Sequence, residues 1–161
     1  MRTLLDLLQI VATAVTAVGV ILVWNQVRLT KRQATTTFED SLSKEFRDLT
    51  KELPSEALLG QPLAEHQQLA HLGVFYRYID LSNQEVYLRK IGRISDETWV
   101  YWCDGIRAFL ALPAFAAAWG TIKAAASGAF EELRQLELEG FKSDPSRWGG
   151  TPSSATAPST P

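Results

Sequence analysis

LAEHQQLAHLGVFYRYIDLSNQEVYLRKI, residues 63–91, contains no proline and carries apolar side chains on nearly every side of a helical projection. Leu69, Leu72, Phe75, Tyr76, Ile79 and Val86 form one stripe at three- and four-residue spacing, and Val74, Tyr78, Leu81 and Leu88 form a second. Two stripes on one helix require neighbours on two sides, so the stretch reads as one long helix at the centre of a bundle. Ser82 followed by Glu85 is the competing signal, a capping box that would start a second helix midway.

Downstream, Gly92 ends the central helix, and Ser95 with Asp96 and Glu97 marks the start of the next. Its inner face is Trp99, Trp102, Cys103, Ile106, Phe109 and Leu110. Pro113 suits the first turn of a further helix bearing Phe115, Ala118, Trp119 and Ile122. Ser127 and Gly128 separate that helix from a final acidic one carrying Phe130, Leu133 and Leu136. No segment sustains period-two alternation, so no sheet is expected. From Ser143 onward the residues are almost entirely Pro, Ser, Thr, Gly and Ala, a composition that cannot bury enough surface to offset its ordering entropy. The 143–161 stretch is read as a disordered tail, and its bare PxxP at Pro158 to Pro161 is assigned no function.

Upstream, Gly60 and Pro62 mark a loop. Before it, residues 20–53 contain neither glycine nor proline, and Phe38, Leu42, Phe46, Leu49 and Leu53 recur at helical spacing. The helix is expected to end at Leu53, because Pro54 disfavours the helical region for its predecessor. Thr36 with Glu39 offers an alternative start after a short break. Further back, Leu4–Trp24 supplies the roughly 20 mostly apolar residues that a membrane-spanning helix needs. Asp6 and Gln9 lie in its first turns. Trp24 suits the headgroup level, and Arg28, Lys31 and Arg32 form the positive flank that is normally kept cytoplasmic. A cleaved signal peptide fits less well, since Val18–Trp24 extends the apolar run past the small residues Ala12, Ala14 and Ala17. A buried helix of a soluble bundle is the other alternative. Pairs Ala12 with Thr16 and Thr13 with Ala17 permit close helix approach and self-association.

The expectation is therefore an all-α chain with an amino-terminal transmembrane helix continuing into or followed by a bundle of about five helices. The divisions are 1–27 anchor, 28–37 basic juxtamembrane segment, 38–142 helical cytoplasmic domain and 143–161 tail. A helix from Leu4 to Leu53 would be about 75 Å long. Beyond the juxtamembrane residues the chain holds 12 basic and 17 acidic side chains. That balance argues against nucleic acid, whose backbone selects clustered Lys and Arg.

Arg77, Asp80 and Asn83 stand three apart on the helix expected to be most buried, where a carboxylate must be paired or neutralised. Asp80 is expected to meet Arg77, or Arg89, Arg93 or Arg107 from elsewhere, in a polar cluster beside Trp99 and Trp102. Its bland reading is a structural ion pair that fixes helix register. His66 and His71 are five apart, which places them on different helix faces and argues against a metal site. Cys103, the only cysteine, excludes an intramolecular disulfide and reads as a small core hydrophobe. Trp99, Trp102 and Trp119 read as core, whereas Trp148 stands alone and either folds back or anchors a partner. The common nucleotide-binding, hydrolase and metalloprotease motifs are missing from the sequence. No catalytic residue, cofactor or metal ligand is assigned.

Across FYRYIDLSNQEVYLRKIGRISDETWVYWCDGI, Phe75 to Ile106, the chain resembles a group of uncharacterised small bacterial single-span membrane proteins with a helical cytoplasmic domain. The resemblance extends to FEDSLSKEFRDL at Phe38–Leu49, LPSEALLG at Leu53–Gly60, PAFAAAW at Pro113–Trp119 and FEELRQL at Phe130–Leu136. It implies bacterial origin and this architecture, with Asp80, Asn83, Gly92, Trp99, Trp102 and Gly105 as structural determinants. It implies no activity. Together the readings point to the bacterial inner membrane, with the amino terminus outside and the domain cytoplasmic. The expected function is non-enzymatic, with the lipid bilayer and a protein partner or second copy as contacts. The alternative is a tethered sensor or effector, in stress or phage defence, that recognises a small ligand near Asp80 and Trp99.

Overall fold

The structure, a computed structural model, describes residues 2–148, without the side chains of residues 2–21, 31 and 32. Among the described residues every regular element is helical. The first helix, α1, spans Arg2–Lys51 and runs without a break past Thr36 and Glu39. The absence of glycine and proline from residues 20–53 decides this against the capping-box alternative. The chain forms two units, the first ending at Asp40 and the second beginning at Ser41. In the first, Leu22, Val23, Trp24, Val27 and Leu29 are between 49% and 71% exposed, so nothing in the described residues covers them. Among the described residues no single helix is long and apolar enough to cross a membrane. All but the last three residues of the expected span Leu4–Trp24 lie among those whose side chains are not described.

In the second unit α1 ends at Lys51, and Glu52 and Leu53 follow as a turn that donates to Leu49 O and Thr50 O. The expected loop before Pro62 contains one short helix, α2, Ser55–Leu58, whose Ala57 is buried. The stretch 63–91 is divided, contrary to the single long helix expected. Helix α3, Glu65–Ala70, and α4, Leu72–Lys90, meet at His71, with φ −103° and ψ 5°. Gly73, two residues further on, weakens helix continuation here, and His71 Nδ1 lies 2.9 Å from Gln67 O. The break leaves Leu69 exposed rather than in the core. Ser82 starts no new helix: its hydroxyl donates to Tyr78 O within α4 at 3.0 Å.

Helix α4 is nonetheless the centre, burying Phe75, Tyr78, Ile79, Leu81, Ser82, Glu85, Val86, Leu88 and Arg89. It packs against α3 and two later helices, α6 (Pro113–Ala125) and α7 (Glu131–Leu138), and against the 3₁₀ turn Pro145–Arg147. Gly92, at φ 71°, closes α4 with paired bonds from Gly92 N to Arg89 O and from Arg93 N to Leu88 O, the glycine-terminated helix end that the sequence suggested. Helix α5, Asp96–Leu110, begins where expected, with Ser95 Oγ accepting from Thr98 N at 3.3 Å. Ser95→Ala is expected to lower stability by about 1 kcal/mol, the usual cost of losing such a cap, as read by denaturant unfolding.

Helix α7 has no side-chain cap of its own, because Phe130 takes the position before it, at φ 62°. Asn83 substitutes from α4, its Oδ1 accepting from Leu133 N at 3.0 Å. The opposite problem at the end of α6 is met by Arg134, which donates to Ala126 O, Lys123 O and Ala129 O at 2.8 to 3.0 Å.

Helical order continues beyond residue 142, the expected domain end. Asp144 Oδ1 accepts from Ser146 N and Pro145 is buried, while Trp148 Nε1 donates to Glu139 and Ser143. Trp148 thus folds back. From residue 149 on, the expected tail lies outside the described residues.

Candidate binding groove

The expected polar cluster does not assemble. Arg77 is half exposed and pairs with Glu52 at the end of α1. Asp80 is exposed, in a polar surface groove that Lys44, Asp48 and Glu52 also line. Asn83 is occupied at α7, and Arg107 is an exposed partner of Asp104 at 2.9 Å. Arg89 is the member that is buried. Its Nε donates to Asp144 Oδ1 at 2.8 Å, its terminal nitrogens reach Asp144 Oδ2 and Ile94 O, and Asp96 lies 2.6 Å away. Paired hydrogen bonds from Arg89 hold the Asp144 carboxyl well below the usual carboxylate range. Trp99 and Trp102 are both buried, as expected for core residues, but Asp80 is with neither in a shared cavity. Of the expected membrane flank, Trp24 and Arg28 are exposed, and the side chains of Lys31 and Arg32 lie outside the description.

Cys103 is buried, with Sγ donating to Phe141 O at 3.7 Å; burial, then Asp104, pushes its thiol pKa up. An inert thiol follows. His66 is exposed on α3, and no cluster of metal-ligating side chains occurs among the described residues.

The side chain with unspent chemistry is Glu85. It is 7% exposed and makes no hydrogen bond or ion pair among the described residues. It lines a cavity of about 640 Å³ bounded by α1, α4 and α5. Phe46 and Arg47 come from α1, Tyr78 and Leu81 from α4, and Trp102 and Phe109 from α5. Helical geometry explains the placement. Residues 78, 81, 85 and 88 share one side of α4, and residues 102, 105, 106 and 109 share one side of α5. The floor is aromatic: Tyr78 sits 5.6 Å from Phe109 and 5.1 Å from Phe115, and Phe46 sits 5.5 Å from Phe109, ring centre to ring centre. Gly105 keeps the wall open, since a methyl group there would meet nothing within 4 Å.

Burial, reinforced by the negative charge of Glu45, pushes the Glu85 carboxyl up to about 8. At neutral pH it is a carboxylic acid, able to donate one hydrogen bond and accept others. An unpartnered acid beside aromatic rings in a cavity of this volume can offer a hydrogen bond and an apolar wall together. The sequence contained a signal for Glu85. It interrupts the apolar series Tyr78, Leu81, Leu88, an acid where a hydrophobe belongs.

The fold and groove together define an all-helical domain with one aromatic, acid-bearing recess. No family model, curated protein or solved structure matches the chain.

Proposed function

We propose that this chain is a membrane-anchored, non-enzymatic binding protein, and that the groove around Glu85 receives a small, largely apolar ligand. The observation that carries the reading is an unpartnered buried carboxyl group lining a cavity of about 640 Å³, within the 300–1,000 Å³ range of small-molecule sites. It moves the sensing site from Asp80 and Trp99, as expected from sequence, to Glu85 and Trp102.

The anchor is part of the proposal. Leu4–Trp24 has the length and apolarity of a span, Arg28, Lys31 and Arg32 supply a cytoplasmic flank, and the described apolar residues of that region are exposed. On this reading the domain is cytoplasmic at a bacterial inner membrane.

Gly105→Leu tests the site. Leucine fills the open wall, and loss of a mid-helix glycine favours the helix by about 0.5–1 kcal/mol. The full chain in detergent should show melting temperatures raised by members of a library of small aromatic and aliphatic compounds, with the response abolished in Gly105→Leu. A library that shifts neither protein, or both equally, removes the basis for the groove.

A protein partner is the second reading, favoured by adjacent Val100 and Tyr101 on α5, which are 63% and 79% exposed. Crosslinking in cells through position 101 should capture a partner or second copy; recovery of the uncrosslinked chain alone would count against it.

A further inference from the structure

The groove's charge and its rings together narrow what it can hold. Of the charged side chains around Glu85, α1 presents Glu45 and Arg47 and α5 presents Asp104; the phenols of Tyr78 on α4 and Tyr101 on α5 complete the titratable groups. Asp104 is already paired with Arg107, which leaves Glu85 as the lining acid that no base meets. Arg47 lines the same cavity but makes no ion pair with Glu85, and no lysine or histidine lines it. A neutral ligand would leave Glu85 a neutral acid, and an anion would oppose its ionisation.

We propose that the groove takes an organic cation, a protonated amine or quaternary ammonium on an apolar body, with Glu85 as its counter-ion and Tyr78, Trp102 and Phe109 as its aromatic walls. This rests on the ligand-binding reading above and names the ligand's class. A cation over aromatic rings gains electrostatic attraction to their faces beyond contact area. The cation also supplies the partner that Glu85 lacks within the protein.

The proton balance follows. Unliganded Glu85 is protonated at neutral pH; on binding a cation it becomes the carboxylate and its proton leaves to solvent. Binding well below pH 8 therefore releases close to one proton, and affinity rises there by about tenfold per pH unit and levels off above 8. A neutral ligand that accepts a hydrogen bond from the acid form would show the opposite slope, losing affinity above 8.

The test uses the full chain in phosphatidylcholine nanodiscs with two probes of equal shape, benzyltrimethylammonium and its neutral carbon analogue neopentylbenzene. The quaternary cation cannot titrate, so its pH profile reports the protein. Titration calorimetry should give tighter binding of the cation, a Kd falling about fiftyfold in all from pH 6 to 8, and proton release in buffers of differing ionisation heat. Glu85→Gln, which resembles the protonated acid and should fold, is expected to bind the cation at least tenfold more weakly at pH 8, with a flat profile, while retaining the neutral analogue. Equal affinity for the two probes, or an unchanged profile in Glu85→Gln, overturns the cation assignment and leaves the groove standing. If neither probe binds at any pH, both readings fall.

Discussion

Asp144→Ala is expected to destabilise the helical domain by about 3 kcal/mol at pH 7, measured by denaturant unfolding of the full chain. The reason is what remains behind. Arg89, with a side chain only 6% exposed, would keep its charge while losing a two-point carboxylate partner. Removing one member of a buried pair costs about 3–5 kcal/mol. The lower end applies because Asp144 is 27% exposed and Asp96 still reaches Arg89. Replacing both members, as Arg89→Met with Asp144→Ala, should cost less than Asp144→Ala alone. If the double substitution is as damaging as the sum of the singles, the pair is not the origin of the effect. A chain ending at Lys142 should behave at least as badly as Asp144→Ala, since it also removes Pro145 from its buried position.

The pH dependence of this pair has a definite sign. Asp144 has its folded pKa depressed from 3.8, so its contribution is present above that value and is lost as pH falls through the lower folded pKa. Acid sensitivity below pH 4 should therefore diminish in Asp144→Ala.

Glu85 works in the other direction and in another window. Its folded pKa is raised from 4.5 to about 8. The unfolded chain ionises first, so stability falls as pH rises from 4.5 to 8 and is level above. At about 1.4 kcal/mol per unit, the full effect approaches 4–5 kcal/mol. Glu85→Gln should abolish this slope and leave the protein several kcal/mol more stable than the parent at pH 9. Parallel unfolding profiles for the two proteins across pH 5–9 would show that Glu85 has solvent or a partner that the structure does not give it. A stability cost at a residue proposed to bind a ligand is the usual arrangement when a site is kept at the expense of the fold.

Much of the helical plan is legible in the residues. Ser95 before Asp96 and Glu97, Pro113 at a first turn, and Gly92 at a helix end each act through local backbone chemistry, and each marks its boundary in the structure. Local chemistry also bears on one miss and on one alternative that the structure discards, whereas a further miss is long-range. The turn at His71 lacks a strong breaker, and Ser82 with Glu85 matches a capping pattern that an established helix overrides. The tail from Ser143 has the composition of a disordered segment, yet Asp144 is held because Arg89, 55 residues earlier, needs a carboxylate.

The candidate site was less legible. Asp80 and Glu85 are both acids on α4, five positions apart, and only one is buried. Periodicity identifies two apolar stripes but not which neighbour covers each side. The packing of α1 and α5 decides this: Asp80 comes to lie in a polar surface groove, and Glu85 beside the rings of Tyr78, Trp102 and Phe109.

The sequence by itself determined the all-helical class, most helix ends and the central place of α4, because those depend on spacing and on backbone preferences within a few residues. Only the tertiary structure decided that Arg89 belongs with Asp144, that Asn83 caps α7, and that Glu85 is the buried acid without a partner. Each of these is a pairing, or a failure of pairing, between side chains on different elements, and its energy exists only once desolvation and distance are fixed by packing.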